Sequence, residues 1–387
     1  MAKQAIGGGN IRFRKDGRWE ARITIAIDPG TGKQIRRSVY GHSQKEVRQQ
    51  LTEIRSALDK GTYIDPSRHT VATWLDEWRN TYCTNRVAPL TLSAYKGLIE
   101  NHIKPQIGAV LLQAVRGSHI QRVYNAMIDA GLSGRTVRNV SALMHKAFSV
   151  ALKQGLIPVN PCDQAEPPKM TKREIKPLDD SDIPVFLAAI EGHPFRNAYA
   201  LCLFAGLREG ECLGLSWEQV DFDNQQIKIC QQLQKAKDGD HDYYISQTTK
   251  GGRSRTISPP PIAFSYLRQE RQKQAEARLK AGRAWSNSDD LVFTDELGGH
   301  IKFSTFYKRF KKLAAAIGRP DARPHDLRHS AATVALASGA DIKSVQDLLG
   351  HASASFTLNT YAHATQKMKE DTANRVQQYY DGLRKQG

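Results

Sequence analysis

Between residues 10 and 61 apolar and polar positions alternate along the chain. In RWEARITIAI, Trp19, Ala21, Ile23, Ile25 and Ile27 share one parity, and Arg18, Glu20, Arg22 and Thr24 share the other. Period-two alternation of this kind is the signature of a half-buried strand. The turn residues DPGTG follow, and KQIRRSVY brings the chain back as a partner strand. Ser43 with Glu46 then forms a capping box that opens a helix closing near Gly61. Val47, Leu51, Ile54 and Leu58 keep helical spacing, so that helix is expected to cover the apolar face of the sheet. Residues 1–62 are thus expected to form a small α+β domain, a three-stranded sheet plus a helix.

The period changes after residue 69. TVATWLDEWRNTY, TLSAYKGLIENHI, SHIQRVYNAMIDAG and RTVRNVSALMHKAFSVALKQG each repeat apolar residues three or four apart, with Pro105, Gly108, Gly131, Gly155 and Pro158 between them. An all-α domain is expected over 69–165. DQAEPPKMTKREIKPL is proline-rich, charged and aperiodic, which marks 166–178 as a linker. Residues 179–387 read as a mainly α domain with a small antiparallel sheet between about 226 and 258. The fold class is therefore multidomain.

Charge narrows the partners. The chain carries 56 Lys and Arg against 39 Asp and Glu, a formal net charge of +17, which favours a polyanion. Residues 1–60 hold thirteen of those cations and six of the acids. A strand pair with one basic face can enter the major groove of double-stranded DNA. Arg12, Arg14, Arg18, Arg22, Lys33, Arg36 and Arg37 are the candidates there, and Lys96, Arg135 and Arg138 in the helical segment. A solvated basic face is the plainer reading of both sets. Trp19 shares the parity of the isoleucines and is read as core. The five cysteines are scattered, without a C-x-x-C, and read as reduced thiols. The start has no apolar stretch of signal-peptide type and no run is long enough to span a bilayer, so a cytoplasmic protein without a membrane partner is expected.

Chemistry concentrates in two stretches. LFAGLREGECLGLSW puts Arg208 directly after an apolar helical run, where burial requires an anion or a carboxylate, and Glu211 stands three residues on to orient it. In RPHDLRHSAAT, His325 and Arg328 project to one side of a helical turn, both suited to phosphate oxygens. LLGHASASFTLNTYAH adds His351 beside a glycine, and Tyr361 ten residues later. His325 and His329 stand at i and i+4, but no glutamate follows as in H-E-x-x-H, so His329 reads as structural and no metal is expected. A phosphodiester makes sense of the set: fixed cations stabilise the charge on its non-bridging oxygens, a phenol can attack phosphorus, and the leaving hydroxyl needs an acid. Lys250, at a strand end before the expected hairpin turn Gly251-Gly252, is the candidate acid; Lys235 and Lys237 are rivals.

The motifs AGLREGE, TTKGGRSR, HDLRH, LLGH and TYAH, in that order, resemble the tyrosine recombinase (phage integrase) family, and the layout is similar to phage and conjugative-transposon integrases. The resemblance implies an arm-type DNA-binding domain, a core-binding domain and a catalytic domain. It implies Arg208, Lys250, His325, Arg328 and His351 around a scissile phosphate, with Tyr361 as nucleophile and Lys250 as general acid. The implied chemistry is integration and excision of a mobile element through a 3′-phosphotyrosyl bond and a Holliday junction, without cofactor. The implied partners are attachment-site DNA with arm and core sequences, other copies of the chain as a dimer on each site and a tetramer in synapsis, and an excisionase or DNA-bending protein. A type IB topoisomerase shares the chemistry, and a DNA-binding regulator could share the shell. The tail after Tyr361 resembles a helix that docks on a neighbouring protomer.

Overall fold

The computed structural model describes residues 9–60, 63–65, 68–170, 176–235, 243–247 and 254–350, with Gln377 and Asp381. The chain divides into two compact units, residues 1–172 and 173–387.

The first unit opens with β1 (Gly9–Phe13), β2 (Trp19–Ile27) and β3 (Gln34–Gly41), an antiparallel sheet with β2 in the middle, followed by α1 (Gln44–Asp59). The Ser43 hydroxyl accepts from the Glu46 amide, one half of the expected capping box, while the Glu46 carboxylate accepts from the His42 amide at 2.9 Å instead of from Ser43. Ala21, Ile23, Val39, Val47 and Leu51 form the core between sheet and helix, with Ile11, Trp19, Ile25, Ile54 and Leu58 against it. Three positions depart from the simple alternation: Ile27, Glu20 and Thr24, the last buried although it shares the polar parity. A register shift between Thr24 and Ala26 turns the end of β2 outward, so Ile27 is exposed rather than core. Glu20, on the polar parity, is nevertheless fully buried, for a reason given below.

The helices of this unit are α2 (Val71–Glu77), α3 (Pro89–Leu98), α4 (Lys104–Ile107), α5 (Gly117–Asp129) and α6 (Gly134–Lys153). The first two continue into wider, i→i+5 turns at Trp78–Cys83 and Ile99–Ile103. Their apolar stripes meet in one core around Trp74, Tyr124 and Phe148. The indole of Trp74 donates to the Ala147 carbonyl at 3.1 Å and so ties α2 to α6. The beginning of the linker is held locally: the Glu166 amide donates to Gln121, and Arg138 donates to the Pro168 carbonyl.

The second unit contains α7 (Asp182–Ala189), α8 (Arg196–Ala205), α9 (Glu209–Leu213), β4 (Val220–Asp221), β5 (Gln226–Ile229), β6 (Gln232–Lys235), β7 (Tyr243–Ser246), β8 (Arg255–Ile257), α10 (Pro261–Ala281), α11 (Phe303–Ala316), α12 (Pro324–Ala337) and α13 (Ile342–Leu349). The residues before α7 belong to this unit, not to a free linker: Arg319 donates to the Lys176 carbonyl, and the Leu178 amide donates to Ser330. Helix α8 is apolar on nearly every side and is buried almost throughout, as such a helix must be. Its Tyr199 packs on Phe306 and Phe310, and the phenol donates to the Phe306 carbonyl at 2.8 Å. Burial of each such ring contributes about 1.5–3 kcal/mol.

The small strands of this unit pair in two sets. β7 pairs with β6 and β8 pairs with β5, while β7 and β8 are not partners among the described residues. Ser246 sits opposite Gln232 and Arg255 opposite Ile229. The turn expected at Gly251-Gly252 lies outside the described residues. Lys250 and Lys237 lie outside the described residues; Lys235 ends β6 and is exposed.

Candidate active site

Two helix ends build the site. α8 stops at Gly206, in the left-handed region at φ 62°, and α13 stops at Gly350 at φ 61°. Only glycine adopts this conformation at little cost. A Cβ at Gly206 would also lie 2.8 Å from Leu349 Cδ2, and one at Gly350 would lie 2.9 Å from Arg255 Cδ. Both helices therefore present unpaired C-terminal carbonyls, the negative end of each helix dipole, to the same place.

Three arginines gather on those carbonyls. Arg328, on α12, donates from Nη1 to Gly206 O at 2.7 Å and from Nη2 to Leu349 O. Arg208 donates to Gly350 O at 3.1 Å, and Arg255 donates from Nε to Leu348 O at 3.1 Å. One carboxylate sits at their centre. Glu211 Oε1 accepts from Arg208 at 2.6 Å and from Arg255 at 2.9 Å, Oε2 accepts from Arg255 at 2.7 Å, and Arg328 stands 3.9 Å from Oε2. Glu211 Oε2 also accepts from the Arg208 amide, which satisfies the N-cap donor of α9. Burial raises the carboxyl pKa, but the guanidiniums of Arg255 and Arg208 outweigh it and hold the group at about 2. Three cations on one anion leave a positive surplus, which suits a phosphate.

The expected residues behave differently from one another. Arg208 keeps 21% of its side chain exposed and Arg255 12%, whereas Arg328 keeps only 1%. Arg328 is thus a structural tie between two helix ends as well as a candidate phosphate ligand. His325 is exposed at the start of α12. Desolvation by the protein around it and the charges of Arg328 and Arg208 lower its pKa to about 4. At neutral pH it is an uncharged imidazole, able to donate one proton or accept another. His351 and Tyr361 lie outside the described residues, as does Lys250. In the sequence His351 directly follows Gly350, where α13 stops.

His329 is buried, with its ring edge-to-face on His325 at 4.9 Å, in keeping with a structural role. Burial, then His325, lowers its pKa to about 4. An unfolded imidazole takes up a proton near pH 6.5, which the folded one refuses until about pH 4. Stability is therefore expected to fall as pH drops from 6.5 toward 4, by on the order of 2–3 kcal/mol. Denaturant midpoints across that window check this, and His329→Gln should flatten the slope.

Residues 176–368 match the family model described as the phage integrase family, and residues 70–128 match the phage integrase N-terminal SAM-like domain. The chain belongs to the phage integrase family of tyrosine recombinases. A tyrosine recombinase XerC-like protein of Caldanaerobacter subterraneus is 29% identical over 92% of this chain and 95% of its own length. The ICEBs1 integrase of Bacillus subtilis is 22% identical over 95% of this chain and 99% of its own. Among solved structures, the Tn1549 transposon integrase with circular intermediate DNA aligns at a TM-score of 0.68 and 21% identity, covering 80% of this chain and 99% of that one. A lambda integrase dimer on a core site aligns at 0.59 and 17%, covering 91% and 94%. At those identities the structures speak to the fold.

The basic candidates of this tyrosine recombinase separate into groups. Arg12, Arg14, Arg18 and Arg22 share one face of the amino-terminal sheet, where Arg14 and Arg18 lie over the Tyr40 ring at 5.5 and 5.8 Å. Arg36 is exposed and bonded to Gln34, and Lys33 is exposed in the turn before β3. Arg37 leaves the group: it pairs in register with buried Ile23, on the helix-covered face, and is held by Tyr63 and Asp65. Lys96 and Arg135 are exposed, while Arg138 is exposed with one nitrogen on the Pro168 carbonyl. Sequence reasoning missed Arg255. It stands inside the quoted TTKGGRSR motif, but only the pairing of β8 with β5 distinguishes it from its basic neighbours.

Proposed function

We propose that this tyrosine recombinase integrates and excises a mobile DNA element, using Tyr361 as nucleophile within a phosphate site formed by Arg208, Arg328, Arg255, His325, Lys250 and His351. The observation that carries the reading is the set of three arginines fixed on Glu211 and on the carbonyls at the ends of α8 and α13. Donors held in place before reaction need no reorganisation as charge develops on the phosphoryl oxygens.

In the proposed step the Tyr361 oxygen attacks phosphorus and the bond to the 5′-oxygen breaks. Lys250 gives its proton to that oxygen, leaving a 3′-phosphotyrosine and a free 5′-hydroxyl. The 5′-hydroxyl of a second strand reverses the step, so no external energy source enters. Neutral His325 is suited to receive the phenolic proton. Solved relatives include a lambda integrase dimer on a core site and a tetramer on a Holliday junction. In keeping with these, the working form proposed here is a dimer on each attachment site and a tetramer in synapsis. Direction is assigned to an excisionase or DNA-bending partner.

Two duplexes carrying the element's attachment sites, incubated with the full chain, should give recombinant joints and transient four-way junctions. Relaxation of supercoiled plasmid without any joining would instead assign the chain to topoisomerase chemistry.

A further inference from the structure

The exposed face of the amino-terminal sheet contains a buried carboxylate. Glu20 sits on the middle strand with Arg12 directly across on β1 and Tyr40 across on β3; Arg22, next on the same face, is opposite Ser38. Oε2 accepts from Arg12 Nε at 2.8 Å, from Arg12 Nη2 at 2.6 Å and from Arg14 Nη1 at 3.3 Å. Oε1 accepts from Arg22 Nε and from the Ser38 hydroxyl, both at 3.0 Å. The Glu20 side chain has no exposed surface, while Arg12, Arg14 and Arg22 keep 56%, 34% and 53% of theirs. The guanidiniums themselves cover the carboxylate. Their hydrogen bonds, that of Arg12 foremost, hold its pKa at about 2, so it is charged at every working pH.

A negative charge at the centre of a face that meets a polyanion opposes binding by Coulomb's law. What it supplies instead is geometry. Three like-charged side chains would otherwise splay apart and sample many rotamers, and each must be ordered when it contacts a base or phosphate. Glu20 grips the inner edges: both Arg12 contacts use Nε and Nη2, and Arg22 uses Nε alone. Glu20 makes no contact with Nη1 of Arg12 or with the two terminal nitrogens of Arg22 among the described residues, and the latter pair can form a planar fork.

We propose that Glu20 is a positioning residue for sequence reading, fixing Arg12, Arg14 and Arg22 so that this face discriminates among duplexes. The inference rests on the arm-type DNA-binding reading of this domain. It separates from simple electrostatics by the sign of its prediction. Glu20→Gln removes a negative charge, so plain attraction to any duplex should hold or strengthen. Positioning predicts that preference for the correct sequence falls, by about tenfold, the range expected when bidentate base contacts loosen.

The test uses the full-length chain and short duplexes that it selects from a random pool. Duplexes whose binding depends on Arg12→Ala and Arg22→Ala define the class read by this sheet. If no selected duplex depends on either arginine, the arm-type reading itself fails. With such a duplex and a scrambled one of equal composition, Glu20→Gln should weaken only the first. Equal strengthening of both, or no change in their ratio, overturns the positioning role. Should Glu20→Gln unfold the domain, Ser38→Ala decides instead: it removes the hydroxyl that anchors Glu20 Oε1 and leaves all three arginines in place. Loss of preference in that variant supports the proposal, and retention overturns it.

Discussion

Glu211→Gln is expected to destabilise the catalytic unit by about 3–5 kcal/mol and to leave no measurable strand cleavage. This is the range found when one partner of a buried ion pair is removed and the other is left uncompensated. Here one neutral amide would face Arg208, Arg255 and Arg328, and it offers a single acceptor oxygen where the carboxylate accepts on both. The Arg208 amide would compete for that oxygen as well. The loss should appear in denaturant unfolding of the second unit. Acid acts on wild type in the same direction: because the folded carboxyl titrates at about 2, below its ordinary value of 4.5, the stabilisation it gives is lost as pH falls from 4.5 toward 2. That window lies below the one assigned to His329. Wild-type stability in Glu211→Gln would mean that the arginines do not depend on this carboxylate.

Arg208→Ala is expected to lower cleavage by about 10²-fold or more while leaving the fold close to wild type, since removal of one fixed donor to a developing oxyanion has effects of that order. Arg208 is partly exposed, and Glu211 keeps Arg255 when it is gone. Arg208→Lys should recover little, because an ammonium cannot reproduce the planar fork that spans Glu211 and the Gly350 carbonyl. Arg328→Ala should behave otherwise. It leaves Gly206 O and Leu349 O without a buried donor, so cleavage and stability should fall together. Single-turnover cleavage set beside thermal unfolding checks the contrast. If the two variants lose stability equally, the division of labour between these arginines is wrong.

The ease with which each part was read from sequence follows its physical range. The helix spans and the sheet–helix core of the amino-terminal domain depend on local periodicity, and Trp74, Val47 and Phe148 are buried where that periodicity placed them. The Arg208–Glu211 pair was legible because its members stand three residues apart on one helical turn. What periodicity could not show was pairing across long separations. Arg255 reaches Glu211 from 44 residues away. Arg37 turned to the helix-covered face by register, and Ile27 was moved outward by an irregularity that leaves no compositional trace. Glu20 had the parity of a surface residue, and its burial under arginines from two strands appears only when the sheet is assembled.

A nicked duplex carrying the element's own attachment site, which sheds a short fragment after cleavage and so cannot be resealed, tests the central claim most directly. Digestion of the trapped complex and mass spectrometry should find the nucleotide on the peptide containing Tyr361, and Tyr361→Phe should give no adduct. An undiminished adduct in that variant, or a nucleotide attached to any other tyrosine, would contradict the account.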